Sequence, residues 1–396
     1  MSGDRPLLLD VSRLIWRRWI GRLPTGIDRV CLAYLAHYGP QSLAVVQRGS
    51  WRKVLDPKGS QKLFALLTAP GTDFRSRLSR LMAGPAVRRI RSDQINGGLY
   101  LNVGHTGLES SSLARWIAQH DLRAIYLVHD LIPITHPEYC RLGEAERHAR
   151  RMTLVLETAA GVIGNSEQTL LSLAEFAASQ NMDMPRAVPA LLGSDLPDPG
   201  ASSKKAATPA SFVMIGTIEG RKNHLLMLQL WTRLAQMLRL DTPKLVIIGQ
   251  RGWESEQAVD LLERAPALRG HVQELSRCSD VRLAEILSGA RALLFPSLVE
   301  GYGLPLIEAL HHGTPVIASD LPVFREIGGN VPEYVDPLDG PSWLRVIAAY
   351  SEQPSAMRNA QLDRLGAYRA PTWDDHFARV DPWLASIGMA SLPQSF

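Results

Sequence analysis

The sequence predicts an α/β fold of two doubly wound halves, on three observations. Short aliphatic runs alternate with longer stretches whose apolar residues recur at helical spacing, the pattern of βαβ units and parallel sheets. The alternation stops in a Pro-, Gly-, Ser- and Ala-rich stretch at residues 195–210 and then restarts. With 396 residues, the chain has length for two or three domains.

In the first half, strands are predicted at 7–10, 43–47, 99–103, 124–128, 162–164 and 188–191, where aliphatic runs end in polar or glycine-containing turns. Periodic apolar positions place helices between them at 29–38, 111–120, 143–159 and 168–179. Residues 195–210 read as the linker. A second series follows, with strands at 212–215, 245–248, 272–275, 292–295, 316–318 and 333–335 and helices including 225–238, 256–264, 281–288 and 306–311. This division gives an N-terminal Rossmann-like domain at 1–198, a C-terminal one at 199–370 and a last helix at 371–396. Two such halves are expected to face each other across a ligand-binding cleft.

A composition of 45% hydrophobic and 21% charged residues is that of a soluble globular protein. No run reaches the ~18 consecutive apolar residues of a spanning helix, and the first residues do not resemble a signal peptide. Cys31, Cys140 and Cys278 are far apart and lack metal-ligand spacing, so a reducing cytoplasm is the simplest setting.

The net charge of +4 hides an asymmetry: residues 1–100 carry 17 Lys and Arg against 6 Asp and Glu, a net +11 that leaves −7 for the rest. Two stretches, 13–22 and 74–91, interleave arginine with apolar and aromatic residues. That pattern suits an anionic membrane surface, here the inner face of the cytoplasmic membrane, and equally a solvated basic helix. Nucleic acid is disfavoured, because no zinc finger, RNA-binding aromatic motif or basic zipper accompanies the charge.

The most informative segment runs from Pro296 to Ser319. An apolar strand leads into a glycine-bearing loop and then a helix with Pro305 at its start and Gly313 at its end. A strand, loop and helix start in this order offer backbone N–H groups and a positive dipole end to phosphate. Glu300 on the loop and Glu308 in the first turn of the helix can both accept hydrogen bonds from hydroxyls. Glu308 alone would also serve as a carboxylate complementing a helix N-terminus. Phosphates flanked by hydroxyls describe a nucleotide-sugar.

This segment, Pro-Ser-x-x-Glu-Gly-Tyr-Gly-Leu-Pro-x-x-Glu-Ala, resembles the Glu-x7-Glu motif of the retaining glycosyltransferases of family 4, of the GT-B superfamily, with Tyr302 in place of the usual Phe. The resemblance implies that Glu300 and the backbone of Gly301, Tyr302, Gly303 and Leu304 hold the transferred sugar, and that Glu308 holds the ribose. Residues 216–224, Gly216-Thr-Ile-Glu-Gly-Arg221-Lys222-Asn-His224, are close to the family's Gly-x4-Arg-Lys-Asn. Arg221 and Lys222 are therefore expected to stabilise the departing diphosphate; their side chains are expected to diverge, as adjacent residues on a helix do, and Lys222, which aligns with the family's lysine, is the firmer candidate. Gly216 and Thr217 belong to the same donor site, and Thr217 stands where many members carry a further Arg.

His129, in His-Asp-Leu-Ile-Pro-x-x-His-Pro-Glu at a predicted strand end, matches a family histidine that approaches the sugar. Asp130 beside it either binds the histidine or, as is commoner for Asp at turns, its own loop. Gly26, in a loop expected to precede a helix near Val30, is assigned to the donor and Arg29 adds charge, while His105 and Thr106 belong to the acceptor site. Gly249 to Trp253 resembles a string of mannosyltransferase-like members, with Trp253 expected to pack.

The expected reaction is retaining transfer of a hexose from a nucleoside-diphosphate sugar, GDP-mannose or another GDP-sugar being favoured, to a saccharide hydroxyl, with a polyprenyl-linked glycan in polysaccharide biosynthesis suggested. The sequence contains no Asp-x-Asp, so no metal and no other cofactor is expected. It also lacks a Walker loop, a Gly-x-Gly-x-x-Gly at the first strand and a Gly-x-Ser-x-Gly elbow, which argues against ATPase, classical dehydrogenase and α/β-hydrolase chemistry. The alternatives are a GT-B nucleotide-sugar 2-epimerase and a non-catalytic sugar-nucleotide-binding protein.

Overall fold

The computed structural model describes residues 5–21, 25–69, 73–83, 90–194, 196–197 and 211–388. Most of the expected linker, Arg22 and residues 84–89 of the second basic stretch lie outside them. The chain forms two compact units. One comprises Met1–Ile134, Gly143–Leu192 and Trp373–Phe396, and the other Thr135–Leu142 and Gly193–Thr372.

The first unit contains strands β1 (Leu7–Asp10), β2 (Ser42–Arg48), β3 (Trp51–Val54), β4 (Leu99–Asn102), β5 (Arg123–Val128), β6 (Ala159–Gly164) and β7 (Ala187–Pro189) in the order β3-β2-β1-β4-β5-β6-β7. All neighbours are parallel except β2 and β3, which form an antiparallel hairpin with Arg48 opposite Trp51. An all-parallel sheet was the expectation. The edge strand departs from it because only Gly49 and Ser50 join β2 to β3, too few residues for the crossover that parallel pairing needs.

Leu8, Tyr100, Tyr126, Met152 and Leu173 are all buried in this unit's core. Each such side chain contributes about 1.5–3 kcal/mol through burial. The helix Trp373–Ile387 packs on β6 and β7, and its His376 bonds Tyr34 at 2.7 Å.

The second unit contains β8 (Ser211–Ile215), β9 (Lys244–Ile248), β10 (Val272–Leu275), β11 (Ala292–Phe295), β12 (Val316–Ser319) and β13 (Glu333–Val335) in the order β10-β9-β8-β11-β12-β13, all parallel. Strands buried on both faces explain the continuous aliphatic runs. Phe212 and Trp231 meet edge to face at 5.7 Å in its core, and the Trp231 indole N–H donates to Pro243 O at 2.9 Å. The architecture is the GT-B type of α/β fold, two Rossmann-like sheets each flanked by helices. No helix among the described residues is long and apolar enough to cross a membrane.

Candidate active site

In the second sheet the strand order reverses between β8 and β11, and in open parallel sheets ligands bind outside the carboxyl ends of strands at such a switch point. The loops that leave these two strands are tied together, Leu298 N–H donating to Arg221 O at 2.8 Å. Glu300 lies at their meeting point. Its Oε1 accepts from Lys222 Nζ at 2.5 Å and from Ser297 Oγ at 2.7 Å, while Oε2 accepts from Arg221 Nη1 at 2.9 Å. Arg221 also pairs through Nε with Glu219 Oε1 at 2.7 Å.

The side chains of Glu300, Lys222 and Glu219 are only 7%, 11% and 2% exposed, so these charges are held largely away from water. Burial alone would raise the Glu300 carboxyl, but Arg221, Lys222 and the hydrogen bonds from Lys222 and Ser297 outweigh it and hold the group at about 2. Burial pushes the Lys222 ammonium below the ordinary lysine range, with Glu300 pulling the other way. Burial likewise raises the Glu219 carboxyl against the pull of Arg221.

The expectation that Arg221 and Lys222 diverge is corrected. They lie on a single 3-10 turn, Gly220–Lys222, closed by Asn223 in the left-handed conformation (φ 56°), and both side chains reach the same carboxylate. The α-helix begins only at His224. Lys222 Nζ also lies 5.0 Å from the centre of the Phe295 ring, so the strand that carries the glycine loop backs the ammonium as well.

Two close approaches shape the loops. A Cβ on Gly249 would come within 1.8 Å of Gly216 O, so the loop after β9 can lean on the loop after β8 only as glycine. Gly303 has φ +122° and faces Phe324, and it caps the helix Leu304–His311. Thr217 packs beneath Gly252, whose added Cβ would meet Thr217 Cγ2 at 2.6 Å. Glu308 is the fifth residue of the helix rather than in its first turn, and it is buried at 3% exposure. Tyr302 is also buried. Trp253 is half-buried, with the Arg141 guanidinium 4.8 Å over its ring.

In the first unit, His129 leaves the end of β5 and its Nε2 lies 2.8 Å from Val103 O. His105, in the left-handed conformation (φ 56°), bonds Leu127 O through Nε2 at 2.8 Å, and the two rings are 5.0 Å apart. A carbonyl oxygen can only accept, so each imidazole carries its proton on Nε2 and leaves Nδ1 as the acceptor. Burial holds His129 down at about 4 and His105 well below the ordinary histidine range, so both rings are neutral near pH 7. Asp130 Oδ1 accepts from Ile132 N–H at 3.1 Å, the loop-binding alternative of the two.

Gly26 is not in a loop. The helix Gly26–Tyr38 starts there, four residues earlier than expected, because Thr25 and Asp28 form a capping box, and Arg29 is therefore helical. Asp28 also pairs with Arg13 at 2.7 Å and Arg17 at 3.0 Å.

A buried polar network behind His105 and Thr106 was not anticipated. Gln47 Nε2 and Asn102 Nδ2 both donate to Thr106 O at 2.9 Å. Asp10 Oδ2 accepts from Gln47 at 2.6 Å and Tyr100 at 2.7 Å, and burial raises its carboxyl against these bonds. Polar residues closing predicted buried strands were the available signal. Glu219 and Ser297 were missed as well, although both sit inside the two motifs.

Residues 200–331 match the family model "Glycosyl transferases group 1". The chain is 32% identical over 225 residues to the serotype-specific mannosyltransferase WbdA of Escherichia coli, an alignment covering 52% of this chain and 27% of that protein. It is 29% identical over 231 residues to the O-antigen chain mannosyltransferase B of Escherichia coli, covering 55% and 58%. The chain thus spans about a quarter of the first relative and under two thirds of the second. Among solved structures, Anabaena Alr3699/HepE in complex with UDP and glucose aligns over 97% of this chain and 100% of that one, with a TM-score of 0.67 and 14% identity, a likeness of fold. Residues 200–331 thus match the group 1 glycosyl transferases, about half of the chain is similar to mannosyltransferases, and the two-sheet architecture is of GT-B fold.

Proposed function

We propose that the chain is a retaining mannosyltransferase that moves mannose from GDP-mannose to a hydroxyl of a lipid-linked glycan during polysaccharide synthesis, working at a membrane face. The observation that carries the donor half is the Glu300–Lys222–Arg221 cluster at the β8/β11 switch point. The mannosyltransferase relatives support the choice of sugar. Glu300 pairs with both cations. A diphosphate arriving at the loop after β8 competes for them, and the carboxylate it releases becomes an acceptor for sugar hydroxyls.

As the bond between the anomeric carbon and phosphate oxygen breaks, Lys222 and Arg221 neutralise the charge that develops on the leaving group. The acceptor oxygen bonds the anomeric carbon on the same face, and its proton passes to the departing phosphate oxygen. Glu300 positions the sugar and does not attack it. Glu308, Gly301, Tyr302, Gly303, Leu304, Gly216 and Thr217 complete the donor site in this reading, with Gly26 a weaker member. His129 accepts a sugar hydroxyl through Nδ1, while His105 and Thr106 face the acceptor.

The two cations supply the charge that a divalent metal provides elsewhere, so activity is expected to survive EDTA. The test is incubation with GDP-, UDP- and ADP-sugars, with and without polyprenyl-linked acceptors. Acceptor-dependent transfer of mannose is the expected result. Isomerisation of the donor without acceptor, or binding without turnover, would replace this reading with an epimerase or a non-catalytic binder.

A further inference from the structure

Of the nine tryptophans, three are exposed, and all three belong to one strip of the first unit. Trp16 and Trp19, 49% and 36% exposed, lie three residues apart on the helix Ser12–Trp19 and so share a face. Trp51, 49% exposed, opens β3 opposite Arg48 of β2. The Arg48 guanidinium lies 5.3 Å over the Trp16 ring. The Arg75 guanidinium lies 5.6 Å over the Trp19 ring, and its Nε donates to Trp19 O at 2.6 Å. The strip therefore runs Trp51, Arg48, Trp16, Trp19, Arg75, with an arginine beside each end of the Trp16–Trp19 pair.

Not every arginine of the basic front serves it. Arg13 and Arg17 are occupied by Asp28, and Arg18 donates to Leu66 O, Leu67 O and Ala69 O at the end of the helix Pro57–Thr68. These internal bonds fix the tryptophan helix against its neighbour. The carboxylates nearest the strip in sequence are also engaged: Asp10 with Gln47 and Tyr100, Asp28 with those two arginines, Asp56 with Gly59 N–H, and Asp73 with Arg77. The side-chain polar groups of the strip are thus donors only. A neutral glycan would look for acceptors among them, whereas phosphate wants donors. Exposed indoles add what soluble phosphate does not need, an apolar body with a polar edge suited to the boundary between headgroups and acyl chains.

We propose that this strip is the surface by which the chain lies on an anionic lipid bilayer, the indoles entering the headgroup boundary and Arg48 and Arg75 meeting lipid phosphates. It deepens the reading of a lipid-linked acceptor and rests on that reading only for the purpose such a surface serves.

The test is co-sedimentation of the full chain with vesicles of phosphatidylcholine alone and of phosphatidylcholine with phosphatidylglycerol. Binding is expected only to the anionic vesicles, and it weakens with added salt. The triple variant W16S/R48Q/W51S is expected to bind them at least tenfold more weakly, yet transfer sugar to a soluble acceptor analogue at the wild-type rate. Quenching of wild-type tryptophan fluorescence by brominated lipid is a second readout that needs no variant. No binding, equal binding to neutral vesicles, absence of quenching, or tighter binding of single-stranded RNA or a soluble anionic polysaccharide to the strip would each overturn the proposal. Vesicle binding without any sugar transfer would defeat the proposed function alone; transfer without vesicle binding would defeat this one alone.

Discussion

Replacing Glu300 by Gln keeps the side-chain volume and removes the charge on which Lys222 and Arg221 converge. A carboxyl held at about 2 instead of its ordinary 4.5 is stabilised as the anion by about 3 kcal/mol. Breaking a buried ion pair by removing one partner costs about 3–5 kcal/mol by an independent route, so the two scales agree. For a folding unit of this size that loss lowers the unfolding midpoint by about 6–12 °C, measurable by calorimetry at pH 7.5.

Because the depressed carboxyl stabilises only as an anion, its contribution is present above pH 4.5 and fades as pH falls toward 2. The wild-type and E300Q midpoints should therefore converge in acid. Binding should move the other way from stability. With Glu300 no longer competing, Lys222 and Arg221 are released to a diphosphate, so GDP affinity by titration calorimetry holds or rises while kcat falls by about a hundredfold or more. Turnover within threefold of wild type would refute the role of Glu300. So would a tenfold loss of GDP affinity in a folded variant, or a covalent sugar trapped on Glu300 of the wild type.

The remaining predictions concern the groups around it. Lys222→Ala leaves Glu300 paired with Arg221 and removes a charge-assisted contact to phosphate worth about 1.5–3 kcal/mol; GDP affinity should fall about tenfold to a hundredfold, as titration calorimetry would record. Gly249→Ala places a methyl carbon 1.8 Å from Gly216 O, so the loop after β8 must shift; donor binding should be lost with only modest change in the first unit, as hydrogen exchange on the two sheets would show. His129 is neutral when buried, with a folded value of about 4 against an ordinary 6.5. The unfolded chain takes up the proton first, so stability is fully present above pH 6.5 and is lost as pH falls from there toward 4, by up to about 3 kcal/mol. Urea unfolding across that window should show a shallower slope for His129→Gln.

The sheets were legible because strands buried on both faces leave continuous aliphatic runs, as at 124–128 and 292–295, and each such run proved to be a strand. The hairpin strand Trp51–Val54 was not, since a four-residue edge carrying Arg and Lys has no apolar pattern to read. The two motifs, at 216–224 and 296–309, single out Glu300, Arg221 and Lys222 one by one. What they did not reveal is that the cations converge on the carboxylate, a consequence of the 3-10 turn closed by left-handed Asn223. The helix start at Gly26 lies ahead of the apolar periodicity, because its signal is the polar Thr25–Asp28 capping box. The network of Asp10, Gln47, Tyr100 and Asn102 joins residues from three strands, and such long-range pairing leaves no local trace.

Proton NMR of a reaction containing GDP-α-mannose and a polyprenyl-linked acceptor tests the central claim most directly. Retaining transfer predicts that GDP accumulates in step with a product whose new linkage is α, that both depend on the acceptor, and that both are lost in E300Q. A β linkage, a donor isomerised without acceptor, or a donor that binds and persists unchanged would contradict it.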